Sequence, residues 1–184
     1  MNVLLIGPRG CGKTTVGLLL AERCGRRFVD LDDRVQGRFA EPTITGIWDA
    51  HGESAWRAAE LDALRETLAG DTRIIALGGG VPMIDAARDR IEAGRAAGQI
   101  RVAYLKCPLD VLTRRLRAVP GDRPSLTGTS VTEEIAAVLR RREPTYEALA
   151  DVICDASDPD PRAVARDVMR MLGLAPAAPG GGEA

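Results

Sequence analysis

Residues 7–17 read GPRGCGKTTVG and follow directly on the apolar run NVLLI at 2–6. Residues 7–14 fit G-x-x-x-x-G-K-T, the pattern of a loop that wraps phosphate, with an apolar strand candidate before it and a helical pattern after it. Gly10 and Gly12 let the backbone curl so that consecutive amides face inward, and the first helix adds the unpaired N–H groups of its N-terminus. Lys13 can reach the outer phosphates, and the Thr14 hydroxyl can help hold Mg2+. Thr15 stabilises or lines the first turn, and Cys11 is a small side chain tolerated inside the loop. An accidental glycine turn would not explain motif and context together. The stretch predicts a nucleoside triphosphate ligand without naming the reaction.

Outward from the loop, apolar strands alternate with helical patterns. Val16, Leu19, Leu20 and Cys24 give the first helix an apolar stripe ending near Gly25. RRFVDLDD (26–33) supplies a second strand with acids at its end, and 34–52 is mixed, suited to short helices with a turn. ESAWRAAELDALRETLA (53–69) is rich in good helix formers. RIIAL (73–77) leads into the triple glycine 78–80, and RVAYLKC (101–107) and DVICDA (151–156) complete five strands. Helices are expected around 85–97, from Pro108 through RRLR, over 132–149 with a kink at Pro144, and over 160–172. Such alternation calls for an α/β fold, three layers deep, with a five-stranded parallel sheet covered on both faces. AVPGDRPSLTGTS (118–130) has the composition of a mobile loop, and APAAPGGGEA (175–184) that of a disordered tail. The expectation is one domain over 1–174, with no internal repeat.

Composition narrows the function classes. The 184 residues suffice for one domain with a sizeable core, and 45% hydrophobic with 28% charged is ordinary for a globular protein. A net charge of -1 gives no global pull toward nucleic acid or an anionic membrane, and no segment approaches the roughly 20 apolar residues of a span. Cysteines at 11, 24, 107 and 154 lack metal-ligand spacing and a disulfide pattern, so a reduced, cytoplasmic setting is expected. Of the 25 Lys and Arg residues only Lys13 and Lys106 are lysines, and arginine's planar fork suits phosphate and carboxylate.

Asp30 and Asp32, at i and i+2 across a strand end, can converge on the crevice above the sheet. Phosphoryl transfer needs an acid near magnesium, usually through its waters, and a second acceptor to orient an incoming hydroxyl. Asp30 suits the first task and Asp32 the second. The bland alternative is that DLDD is only a capped helix start. Arg57, the glycines 78–80 and Arg142 have one possible common use, in which two guanidiniums clamp a carboxylate while glycine amides approach hydroxyls. Each also has a plainer reading: Arg57 paired with Glu60 three residues on, Arg142 covering helix surface, the glycines forming a tight turn. Arg123, in the loop GDRPSLTG, could swing its charge to the reacting phosphate as the loop closes and excludes water. Loss of such a contact would cost roughly two to three powers of ten in rate.

Taken in order, GPRGCGKTTVG, RRFVDLD, GE..WR..E (52–60), GGG (78–80), RPSLTG (123–128) and RREPTY (141–146) resemble the shikimate kinases along nearly the whole chain. The cysteine in the glycine loop resembles that of one bacterial form. The resemblance implies transfer of the γ-phosphoryl group of ATP, with Mg2+, to the 3-hydroxyl of shikimate. It also implies a fold related to the nucleoside monophosphate kinases, with strand order 2-3-1-4-5, a substrate-binding region about 33–62 and a lid about 117–131. Carried over by residue, Lys13 and Thr14 bind phosphate and metal, and Asp30 lies near the metal. Asp32 binds the shikimate hydroxyls and is the proposed base. Arg57 and Arg142 hold the carboxylate, Gly78, Gly79 and Gly80 supply substrate-facing backbone, and Arg123 is the lid arginine. Adenine would lie between Arg114 or Arg115 and the stretch Asp158 to Pro161, Arg115 being favoured. Trp48 and Trp56 stand where the family commonly has phenylalanine, and EPTITGIW (41–48) departs from its usual start. His51, the only histidine, reads as a surface or hinge residue.

Rival readings are a kinase for gluconate, another small hydroxy acid or a nucleotide, an NTP-binding regulatory protein without turnover, and a degenerate homologue. The full set of acids, arginines and glycines favours the shikimate kinase. Short helices and a near-neutral net charge neither require nor exclude a dimer, and a monomer is the expectation.

Overall fold

Strand β1 (Asn2–Ile6) is buried along its whole length and forms the centre of the sheet. Its alternate side chains go opposite ways, as pleating requires: Val3 and Leu5 join one apolar cluster, Leu4 and Ile6 the other. A strand that is apolar at every position can be satisfied only where both faces are covered, hence a parallel sheet with helices on either side. The computed structural model describes residues 1–70, 72–118 and 131–177.

The other strands are β2 (Arg27–Asp30), β3 (Arg73–Ala76), β4 (Ile100–Lys106) and β5 (Val152–Asp155). All neighbouring pairs are parallel and the order is β2-β3-β1-β4-β5, as expected. One face is covered by α1 (Lys13–Cys24), α5 (Leu109–Ala118) and α7 (Pro161–Leu172), which bury Val16, Leu20, Leu112, Val164 and Val168. The opposite face carries α2 (Leu31–Gln36), α3 (Ile44–Leu68), α4 (Asp85–Ala96) and α6 (Val131–Leu149), burying Val35, Ile47, Leu64, Ile91 and Leu149. Each such aliphatic side chain contributes about 2 kcal/mol by leaving water.

The region 34–52 has the short helices and turn expected of it: α2 ends at Gln36, and α3 starts at Ile44 behind a Thr43 cap whose side chain accepts from the Gly46 amide. Gly52, at φ 80 and ψ 164, then breaks α3 into two stretches, so the expected helix from residue 53 is its second half. The acids of DLDD end β2 only at Asp30; Asp32 lies in the first turn of α2, because the Asp30 carboxylate caps that helix by accepting from Asp32 N at 3.0 Å.

No described helix is long and apolar enough to cross a membrane. The cysteines are free thiols, with Cys11, Cys107 and Cys154 buried and Cys24 half-buried. Arg123 and the expected lid from 119 to 130 lie outside the described residues, as does the tail from 178.

Candidate active site

In an open parallel sheet, the C-terminal strand ends and the helix N-termini that follow them share one rim. Here β1 delivers the glycine loop, β2 the acids and β3 the triple glycine to that rim. A cleft of ≈ 540 Å3 opens there, lined by residues 9–16 together with Asp30, Asp32, Gly79, Arg115 and Pro161 among others.

Gly10 and Gly12 adopt φ values of +82 and +100, a region L side chains avoid. A Cβ on Gly10 would also lie 3.0 Å from Leu116 Cγ of α5. Helix α1 has Gly12 at its cap position and no side chain caps it, so its first amides are left for a ligand. Lys13 folds back over the loop, donating from Nζ to Gly7 O at 3.0 Å and Pro8 O at 2.8 Å. The ammonium is thereby held inside the curl of the loop.

Thr14 Oγ1 donates to Asp30 Oδ2 at 2.7 Å. One carboxylate therefore does two jobs, capping α2 through Oδ1 and meeting the loop hydroxyl through Oδ2. The plain reading of DLDD as a capped helix start holds, and it leaves Asp30 Oδ2 at the loop hydroxyl. A hydroxyl and a carboxylate form an all-oxygen donor set, which suits a hard cation such as Mg2+ that keeps most of its waters. Among the described residues no group of three or more His, Cys, Asp or Glu could hold a metal by itself, so phosphate and water would supply the remaining ligands.

Three side chains approach the triple glycine. A Cβ on Gly78 would run into the Asp32 carboxylate and come within 2.8 Å of Glu60 Oε1. On Gly80 it would run into Arg57 Nη1. Gly79 O accepts from Arg142 Nη1 at 3.1 Å. Asp32, Arg57 and Arg142 thus reach three successive glycines from α2, α3 and α6. All three glycines are buried, and bare backbone is what permits so close an approach.

Arg57 pairs with Glu60, at 2.7 Å, and this pairing is compatible with a site role. Glu53 Oε1 also accepts from Nε at 3.1 Å and Nη2 at 2.8 Å. Among the described residues three of its five N–H groups are used, which leaves one on each terminal nitrogen, the number a carboxylate can accept. The Trp48 ring covers the guanidinium at 5.7 Å. Trp56 is buried beside Phe39, the rings stacked at 6.3 Å, so it packs the support of the site. Glu60 is wholly buried, and burial raises its carboxyl pKa; the Asp32 charge adds to this, while Arg57 opposes it. Burial would lower the Arg57 pKa, but Glu60 and Glu53 outweigh it and raise the net value.

At the other end of the cleft, Arg115 Nη1 donates to Ala156 O at 3.0 Å and Nη2 to Asp158 O at 3.2 Å. Arg115 therefore lies against the stretch that includes Pro161, whereas Arg114 lines a separate shallow depression on α5. His51 Nε2 lies 3.0 Å from Glu41 Oε1, beside the Gly52 break and away from the cleft. Sequence reasoning gave no site role to Glu53, Glu60 or Tyr146. For the first two the available signal was their spacing of four and three from Arg57.

A phosphate-binding loop, an acid at the loop hydroxyl and an arginine-flanked glycine floor on a 2-3-1-4-5 parallel sheet define a P-loop kinase of small molecules. A sequence profile described as shikimate kinase matches residues 9–173, and the chain belongs to that family. It is 41% identical to shikimate kinase 2 of Escherichia fergusonii over 157 residues, covering 84% of this chain and 83% of that one. Its structure resembles shikimate kinase from Acinetobacter baumannii in complex with shikimate, with TM-score 0.84, 28% identity and coverage of 93% and 92%. A gluconokinase from Sinorhizobium meliloti shares the fold at TM-score 0.62 and 20% identity, covering 94% of this chain and 91% of that one.

Proposed function

We infer that the chain is an ATP-dependent kinase that phosphorylates the 3-hydroxyl of shikimate, giving shikimate 3-phosphate and ADP. The observation that carries this reading is the convergence of Asp32, Arg57 and Arg142 on glycines 78–80, with Asp32 and Gly79 also lining the cleft that holds the phosphate loop.

In this reading the amides of Gly10, Cys11 and Gly12 and the side chains of Lys13, Thr14 and Thr15 hold the triphosphate. Arg115 and Pro161 flank adenine. Thr14 and Asp30 would hold Mg2+, which would supply neutralisation of the phosphate charge. Arg57 and Arg142 take the shikimate carboxylate, and the backbone of Gly78, Gly79 and Gly80 approaches its hydroxyls. Asp32 accepts a hydrogen bond from the 3-hydroxyl and aims its oxygen at the γ-phosphorus. As the new O–P bond forms, the bond to ADP breaks and the hydroxyl proton passes to Asp32. That proton can leave late, so positioning contributes more than basicity. Lys13, and Arg123 from a lid over about 117–131, stabilise charge on the transferring group.

The reading extends to a single kinase domain over 1–174 with an acceptor region about 33–62, of the form whose loop reads GPRGCGKT, working as a cytoplasmic monomer. A net charge of -1 gives no global pull toward nucleic acid or membrane. The test offers ATP, Mg2+ and a panel of hydroxy acids and measures acceptor-dependent ADP. Shikimate is expected to turn over; an inactive shikimate beside an active gluconate or nucleotide would reject the assignment.

A further inference from the structure

Tyr146 lies in α6, one turn after Arg142, and is wholly buried. Its hydroxyl donates to Gly79 O at 2.6 Å, the carbonyl that also accepts from Arg142 at 3.1 Å. A carbonyl oxygen has two lone pairs, so both donors can be accommodated at once. The two bonds differ in kind. Arg142 is partly exposed on a long side chain, whereas Tyr146 is buried and packed.

That packing leads to the phosphate loop. The ring of Tyr146 lies against that of Tyr104 on β4, centroids 5.3 Å apart and planes tilted by 40°. A Cβ on Gly7, the first residue of the glycine loop, would lie 3.5 Å from Tyr104 Cε2. One on Gly79 would lie 3.3 Å from Gly7 O and 3.4 Å from the Tyr146 hydroxyl. The first glycine of the donor loop and the middle glycine of the acceptor floor therefore meet beside two buried tyrosines in tilted ring contact.

We propose that Tyr146 is a positioning residue for phosphoryl transfer: its hydroxyl fixes the Gly79 carbonyl, and its ring, through Tyr104, sets the acceptor floor against the phosphate loop. Fixing that carbonyl fixes the peptide plane between Gly79 and Gly80, and with it the direction of the Gly80 amide. Glycines have no side chain to hold their own conformation, so an external bond has most effect there. When Arg142 turns to an acceptor carboxylate, Tyr146 keeps Gly79 O satisfied and the floor in place. This role rests on the reading that residues 78–80 and Arg142 meet the acceptor.

The test compares the full chain with Tyr146→Phe, which keeps the ring and removes the hydroxyl. Initial rates are measured with ATP, Mg2+ and shikimate, and thermal melting is followed alongside. The shikimate KM is expected to rise about fivefold or more, roughly the effect of one buried hydrogen bond, with kcat also reduced. The ATP KM is expected to stay within about twofold, because the donor loop keeps its own contacts. A purely structural tyrosine would lower the melting temperature without separating the two KM values. An unchanged shikimate KM, equal changes in both KM values, or a variant that no longer folds overturns the role given to Tyr146. The parent chain separates the two levels of inference. If it gives no shikimate-dependent ADP, the acceptor reading falls and this role with it; a normal parent beside an unchanged variant defeats the role alone.

Discussion

Glu60 Oε2 accepts from Arg57 Nη1 at 2.7 Å, and the Glu60 side chain is completely buried while Arg57 retains 22% exposure. The buried acid anchors the guanidinium from behind and leaves its outer nitrogens facing the glycine floor.

Removing that anchor exposes its worth. Glu60→Ala is expected to lower unfolding free energy by about 3 kcal/mol, as for other broken buried pairs, with Glu60→Gln milder. The pH dependence has a definite sign. The folded pKa of Glu60 lies above its ordinary value, chiefly through burial, so its contribution is full below the unfolded pKa and is lost as pH rises through the folded one. Urea denaturation from pH 4 upward should therefore show a decline in the parent that is absent in Glu60→Gln.

The three glycines should differ in their tolerance of a methyl group. Gly78→Ala would collide with the Asp32 carboxylate and Gly80→Ala with Arg57 Nη1, whereas Gly79→Ala meets its nearest atom at 3.3 Å. Shikimate KM should rise steeply for the first and third, by about tenfold or more, and least for the second. A reversed order in the kinetics would contradict the placement of these side chains.

Arg57 and Arg115 should act on different substrates. Arg57→Lys keeps a charge for Glu60 but loses the planar fork, and is expected to raise shikimate KM about tenfold while leaving ATP KM within about twofold. Arg115→Ala should do the converse, since Arg115 holds the stretch at Ala156 and Asp158. Parallel losses in both constants for both variants would assign the arginines to structure.

Magnesium dependence should report the Thr14–Asp30 contact. Asp30→Asn keeps a capping oxygen for α2 but loses the charge, so fold should survive while half-maximal activity shifts to about tenfold higher Mg2+. A titration at saturating ATP that is superimposable on the parent's would remove Asp30 from the metal side.

Asp151 offers a stability test remote from the cleft. Burial opposes its ionisation, but the Arg95 hydrogen bond, the Val102 amide at 2.7 Å and the Arg95 and Arg101 charges prevail and hold its pKa below the usual 3.8. Its stabilisation is thus present above the unfolded pKa and lost as pH falls through the folded one. Asp151→Asn should be less stable at neutral pH and lose less on acidification to pH 3, as followed by thermal melting.

Much of this protein was legible in one dimension. The glycine loop, the acids after β2 and the five apolar runs follow from local rules: a turn of consecutive amides needs glycine, and a strand buried on both faces needs apolar residues throughout. Less was legible at Arg57, where pairing with Glu60 and a site role looked like alternatives. The pairing is present and the two are compatible, because a guanidinium has more donors than one carboxylate can use. The same is true of DLDD, where Asp30 caps α2 with one oxygen and meets Thr14 with the other.

Sequence alone determined that the chain carries a phosphate-binding loop on a parallel sheet, because those signals lie within a few neighbouring residues. Only the tertiary structure decided that Asp32, Arg57 and Arg142 converge on glycines 78–80, that Glu60 is buried behind them, and that Tyr146 holds Gly79. These residues come from four separate elements. Which of them meet is fixed by sheet order and by how α2, α3 and α6 pack on one face, interactions that no local spacing encodes.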